Sequence, residues 1–181
     1  PDNDECGSAT MLTVGTVYED NPVMGNLAGA TDSMVGDFSC SSGAWDAGEG
    51  DVFFSFMATA SNVVIETRTV DGSTMTDSTI ALYTDCPATT EIGCNDDGQV
   101  TEFGTFMSLL EITDLTVGAT YYVRVVEYGG DALDTFMISV YSPEDIDGDG
   151  FSVADGDCDD NDSAINPVSY THLRAHETKP N

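Results

Sequence analysis

Short apolar runs recur along residues 1–142, most of them alternating or nearly alternating with polar positions. The runs are TMLTVGTV at 10–17, DVFFSFM at 51–57, NVVIETRTV at 62–70 and STIALY at 78–83. FMSLLEI at 106–112, YYVRVV at 121–126 and TFMISVY at 135–141 complete the set. Their β-branched and aromatic side chains suit a pleated, half-buried surface, and Gly, Asp, Asn and Ser turns separate them. No 12-residue window carries a helical stripe. This pattern predicts an all-β domain over 1–142, an antiparallel β-sandwich of jelly-roll or immunoglobulin-like type.

Charge narrows the partners. The chain carries 33 acidic and 4 basic residues, a net charge of -29. Self-repulsion on that scale argues against nucleic acid and anionic membrane surfaces as partners and suits divalent cations, high salt or plain solubility. Apolar residues make up 40% of the chain, too many for a disordered acidic tail. No apolar run reaches the about 18 residues of a membrane span. The chain opens at Pro1 without an initiator Met or signal peptide, as expected of a mature or fragmentary secreted chain.

Cys6, Cys40, Cys86, Cys94 and Cys158 form no C-x-x-C pair and no Cys/His cluster, which argues against zinc and for disulfides in an oxidising compartment. Cys86 and Cys94 flank an expected turn, and their pairing would stabilise by about 2–3 kcal/mol. Cys6 would then pair with Cys40. Four cysteines allow three pairings, so the other two stay open. Cys158 is left over, its partner expected beyond Pro167.

Several motifs act together. NDEC at 3–6 opens the domain, followed by GDVFFSF at 50–56, STIALY at 78–83, CNDDG at 94–98 and the strand from Gly118 to Val125. In combination they resemble the bacterial pre-peptidase C-terminal-type β-sandwich of secreted multidomain proteins, over residues 2–141. Phe53 and Phe54 stand where many relatives of that family carry Trp. A fibronectin type III or other immunoglobulin-like sandwich is the alternative. The Gly118 turn leading into Tyr121 and Tyr122 resembles a tyrosine corner, in which the hydroxyl bonds back to nearby backbone. The resemblance also implies that a lone calcium could sit at Asn95, Asp96 and Asp97, or near Asn3 and Asp4. From the residues alone, 95–97 reads as a turn.

After Pro143 and Glu144 the composition changes. Eight Asp residues fall within 145–162. Asp145, Asp147 and Asp149 have the i, i+2, i+4 spacing that lets a curled loop aim three carboxylates at one hard cation. Gly148 and Gly150 permit the tight turns. Phe151 would offer a backbone carbonyl. Position 12 of the loop would be Gly156 rather than the Glu of an EF-hand, so Asp155 or Asp157 would supply that carboxylate. Asp157, Asp159, Asp160 and Asp162 could form a second site. The segment resembles the Asp-rich calcium repeats of secreted proteins, in the style of thrombospondin type 3 repeats. Calcium is the expected ion, because magnesium prefers few carboxylates and retained waters.

Residues 168–181 change character again. The run VSYTHLRAHET at 168–178 resembles one reading frame of a transposon-type sequencing adapter, with Lys179 and Pro180 from a barcode. Domain organisation is therefore read as a sandwich over 1–142, a truncated calcium segment over 143–167 and an artefact tail over 168–181. Without His172 and His176 the chain has no His, hence no Ser-His or Cys-His nucleophile. No G-x-S-x-G, H-E-x-x-H or phosphate loop occurs.

These features predict a non-catalytic, extracellular or bacterial cell-surface calcium module of a larger protein. Its partners would be calcium, neighbouring modules or like subunits, and a glycan or surface ligand. The alternative is a subunit of an extracellular fibre assembled by β-strand addition. The triplets at 32–34, 77–79 and 162–164 also resemble Asp-Ser-type acceptors for O-glycans in Bacteroidota.

Overall fold

A computed structural model of the protein describes residues 1–40, 50–100, 106–129, 132–143, 162, 164 and 165, with the side chains of 99 and 100 left aside. The chain divides into two units, Pro1–Ser142 and Pro143–Asn181. In the second unit only Pro143, Asp162, Ala164 and Ile165 are described. Among the described residues no helix is long and apolar enough to cross a membrane.

The first unit contains eleven strands among its described residues: β1 (Thr10–Met11), β2 (Val23–Asn26), β3 (Asp51–Met57), β4 (Val63–Thr69), β5 (Thr79–Tyr83), β6 (Glu91–Asn95), β7 (Gln99–Val100), β8 (Phe106–Met107), β9 (Leu109–Ile112), β10 (Thr120–Val126) and β11 (Thr135–Tyr141). One sheet has the order β1-β3-β10-β5-β6, the other β2-β11-β4-β9, and β7 pairs with β8 as a ribbon. The all-β, two-sheet expectation holds. The purely antiparallel expectation is corrected: β1 runs parallel to β3, and the isolated bridges Gly15–Tyr141 and Asp77–Phe106 are parallel too.

Between the sheets, Val52, Phe54 and Phe56 of β3, Ile80 and Leu82 of β5, and Val123 and Val125 of β10 meet Val63 and Ile65 of β4, Leu110 of β9, and Phe136, Ile138 and Val140 of β11. Phe54 and Phe136 pack edge to face. The other face of the first sheet is covered too. Phe53, Ala81, Tyr83 and Val126 pack against Cys6, Phe38 and Ala88. Burial on both faces explains why β3 and β5 read as near-continuous apolar runs.

Most of the covering layer comes from the N-terminal segment, with Ala88 added from the β5–β6 connection. Asn3 brackets Phe53 with two hydrogen bonds, Asn3 Nδ2 to Phe53 O and Phe53 N to Asn3 O, 2.9 and 2.8 Å. Asp51 N donates to Thr31 O and Leu12 N to Ser55 O. The segment thus satisfies the open edge of β3, which would otherwise invite another chain. Only Thr10 and Met11 of the predicted 10–17 run are strand. The chain then leaves the first sheet, and Gly15 bridges Tyr141 of the second.

The disulfides are Cys6–Cys86 and Cys40–Cys94, correcting the expected Cys86–Cys94 and Cys6–Cys40 pairs. Register supplies the reason. Cys94 lies opposite Ala81, whereas Cys86 lies beyond the Tyr83–Glu91 rung. Two residues of strand span about 7 Å, so the two cysteines sit too far apart along the hairpin to be bridged. Each instead reaches the N-terminal layer. The tyrosine corner is present: Thr116 N donates to Tyr121 Oη at 2.8 Å, and Gly118 turns at φ +83°.

Candidate cation site

At one end of the first sheet, three carboxylates converge. Asp77, just before β5, is held by a bridge to Phe106, with Phe106 N donating to Thr76 O and Ser78 N to Phe106 O. Asp96 and Asp97 lie in the turn from β6 to β7. The pairing of Ile80 with Asn95 brings that turn beside Asp77. One oxygen from each of Asp77, Asp96 and Asp97 lies within 4.8 Å of the others.

The turn is firmly built. Asn95 Oδ1 accepts Leu109 N at 3.0 Å, and Thr79 Oγ1 donates to Asp96 Oδ1 at 2.6 Å. Gly98 allows the close approach, since a Cβ there would lie 2.4 Å from Leu109 N. Behind the turn sit three hydroxyl residues without exposed surface, Thr67, Ser78 and Ser108. Ser108 separates β8 from β9, because its N–H turns to Thr67 Oγ1 and Ser78 Oγ instead of a strand. The predicted single strand over 106–112 is interrupted there for that reason.

Electrostatics set this cluster apart. Oδ1 of Asp77 is shut off from solvent and accepts no hydrogen bond among the described residues. Burial, then the charges of Asp96, Asp97 and Glu127, push the Asp77 carboxyl from 3.8 up to about 7, against the Ser78 N–H that favours its ionised form. Glu127 is itself buried. Burial and the same three aspartates raise the Tyr128 hydroxyl. Crowded carboxylates and an orphaned acceptor oxygen suit a hard divalent cation, which takes oxygen ligands. The cluster can coordinate such an ion.

The sequence-predicted sites fare unevenly. Asp145, Asp147, Asp149, Phe151, Asp155, Asp157, Asp159 and Asp160 lie outside the described residues, as do Cys158 and the 168–181 tail. Asp162 is described: its Oδ1 accepts Ala164 N at 3.2 Å and its carbonyl accepts Ile165 N at 2.7 Å, a local turn. Asn3 and Asp4 are engaged elsewhere. Asp4 takes the N–H and hydroxyl of Thr31, both at 2.7 Å, and these bonds hold its carboxyl below the ordinary value. Asp96 and Asp97 were legible as a polar cluster, but Asp77 was not, because its contribution depends on the β5–β6 register. The acceptor triplet at 77–79 is closed to modification, since Ser78 is fully buried. Ser33 of the 32–34 triplet donates to Asp51 Oδ2 at 2.5 Å, and residue 163 lies outside the described residues.

A family model described as galactose binding domain-like matches residues 2–138. The pre-peptidase C-terminal domain of collagenase from Bacillus anthracis is a similar solved structure, at 16% identity and a TM-score of 0.42, covering 73% of this chain and 93% of that one. The CsCBM6-3 structure from Clostridium stercorarium, in complex with cellobiose, is similar at 14% identity and a TM-score of 0.32, covering 75% and 98%. No curated protein matches the chain.

Proposed function

The chain belongs to the galactose binding domain-like family, and from that premise we propose that it is a non-catalytic, calcium-dependent attachment module of a larger bacterial secreted or surface protein. The observation that carries the calcium reading is the orphaned, buried Asp77 Oδ1 beside Asp96 and Asp97. A Ca²⁺ ion takes 6–8 oxygen ligands, so three aspartates leave positions for water or a ligand. Two disulfides support export to an oxidising compartment. The Asp-rich segment, with Asp145, Asp147, Asp149, the Phe151 carbonyl, Asp155, Asp157, Asp159, Asp160 and Asp162, is read as a second calcium region. The family description directs the ligand search toward sugars.

The test is a calcium titration of the full chain, following the backbone amide signals of residues 95–98 by NMR after chelator treatment. Saturable shifts there are expected, and Asp77→Asn weakens them at least tenfold. Flat signals across millimolar calcium would defeat the reading at this site. A glycan array probed with and without calcium then tests the ligand class.

One observation favours the fibre alternative. β2 ends its sheet without a strand on its outer side among the described residues, and Met24 on it is exposed. Strand addition would use that edge. A chain that stays monomeric in sedimentation at high concentration argues against it.

A further inference from the structure

We infer that the Ser108 hydroxyl is a positioning residue of the cation site, holding the two ligand-bearing segments at the separation that one ion requires. This rests on the calcium reading of Asp77, Asp96 and Asp97. The ligands come from two places, the approach to β5 and the β6–β7 turn, and short aspartate side chains cannot absorb a shift between them. Ser108 lies against both. Its one hydroxyl proton has the carbonyl of Ser78, the neighbour of Asp77, as nearest acceptor, with the carbonyls of Asn95 and of Asp96 itself 3.2 and 3.0 Å away as the alternatives. Its next neighbour, Leu109, bonds the Asn95 side chain with its N–H. Three carbonyl oxygens therefore converge on one O–H at a position with no exposed surface.

A hydroxyl is a costly choice there unless its bonds matter, since burying one without partners is unfavourable and an alanine or valine would fill the space without that demand. Thr67 shows what the rest of the knot does. Its hydroxyl accepts Ser108 N and lies 2.8 Å from Ser78 Oγ and 3.2 Å from Ser108 O, which ties β4 to the β8–β9 break and to the approach to β5 but does not touch the 95–98 turn. The knot thus contains one residue, Ser108, that reaches both ligand-bearing segments and one, Thr67, that reaches only the Asp77 side. That division separates positioning from simple stability.

The experiment compares Ser108→Ala and Thr67→Val in the full chain. Calcium is titrated against the amide signals of 95–98, and unfolding is measured separately in chelator. Ser108→Ala is expected to raise the calcium dissociation constant at the turn at least tenfold. Thr67→Val is expected to lower the unfolding temperature yet leave that constant within about threefold. An unchanged constant in Ser108→Ala, with wild type binding normally, overturns this inference and leaves the calcium reading standing. Equal losses in both variants overturn it as well, by showing a general structural effect. A wild type that gives no calcium-dependent shift removes the calcium reading and the inference together. Should Ser108→Ala fail to fold, amide exchange in the wild type decides. Saturating calcium is expected to slow exchange at Ser108 and Leu109 at least tenfold, and equal rates with and without calcium overturn the coupling.

Discussion

Of the two arginines among the described residues, Arg124 is buried inside the fold and Arg68 is exposed. Arg124 Nε lies 2.5 Å from Asp51 Oδ2, its Nη1 donates to Gly36 O, and its guanidinium sits 4.5 Å from the centre of the Phe38 ring. Burial pushes the Asp51 carboxyl up, while Ser33 and Arg124 pull it down. Removing one partner strands a buried charge, so Arg124→Ala is expected to cost about 3–5 kcal/mol in urea unfolding. Arg124→Met with Asp51→Leu should recover much of that loss; a single variant within about 1 kcal/mol of wild type would show the pair is not holding the layer. Asp77 makes a second residue-scale prediction, of opposite sign to the usual carboxylate. Its proton is held in the folded state up to about 7, against 3.8 ordinarily. The unfolded chain therefore binds fewer protons between those values, and apo stability falls as pH rises through that window. Asp4 and Asp134, held low by hydrogen bonds to Thr31 and to Thr74 and Thr135, lose their contribution only below the ordinary value, outside the window. In chelator the melting temperature should drop from pH 4.5 to pH 7.5, less so in Asp77→Asn; identical slopes would remove Asp77 as the cause.

At the scale of elements, the strands that were legible are those whose side chains do the packing. β3, β4, β5, β10 and β11 fall within a residue or so of the predicted runs. β2 and β6 were missed because glycines sit at their centres. A Cβ on Gly25 would lie 2.3 Å from the Phe136 ring, and one on Gly93 would lie 3.0 Å from Ile112. In each case a neighbour's side chain fills the space, so the strand's own sequence carries little apolar signal. The same non-local logic hid Asp77 and misdirected the cysteines. It also yields a direct check. Proteolytic mapping under non-reducing conditions should recover Cys6 linked to Cys86 and Cys40 linked to Cys94, and a peptide joining Cys86 to Cys94 would contradict the register of β5 and β6. These pairs close loops with sequence separations of 80 and 54 residues. In the chain-entropy account each is worth about 4 kcal/mol, compared with about 2–3 for the short loop first expected. Replacing Cys40 and Cys94 by Ser together should lower stability by about 2–5 kcal/mol, because the N-terminal layer over Phe53 and Arg124 loses its second anchor.

Across the whole molecule the pairing of Arg68 and Arg124 with acids sharpens what a net charge of -29 does. Arg68 lies 3.5 Å over the Tyr18 ring and bonds Glu66 and Glu19, and Glu66 also accepts the Tyr141 hydroxyl at 2.8 Å. The positive charge of both arginines is committed to three acids, Glu66, Glu19 and Asp51, rather than left to offset the other carboxylates. Folding brings the remaining carboxylates closer than they are in the expanded chain, so their repulsion opposes the compact state. Monovalent salt screens it: the Debye length falls from about 30 Å at 0.01 M to about 10 Å at 0.1 M. Calcium acts by a different route, through sites, and stabilises only as far as it binds the folded state better than the unfolded one. The two effects can be separated by melting the full chain in chelator across 0.01–0.5 M sodium chloride, then adding millimolar calcium at fixed ionic strength. The melting temperature is expected to rise with salt, and to rise further with calcium where the salt curve has already levelled. Asp77→Asn should keep the salt response and lose part of the calcium response. Asp145→Asn with Asp147→Asn and Asp149→Asn should leave intact the calcium-induced shifts at 95–98. A calcium response that sodium alone reproduces would reduce the cation's role to screening, and the acidic surface would then act through solubility rather than attachment.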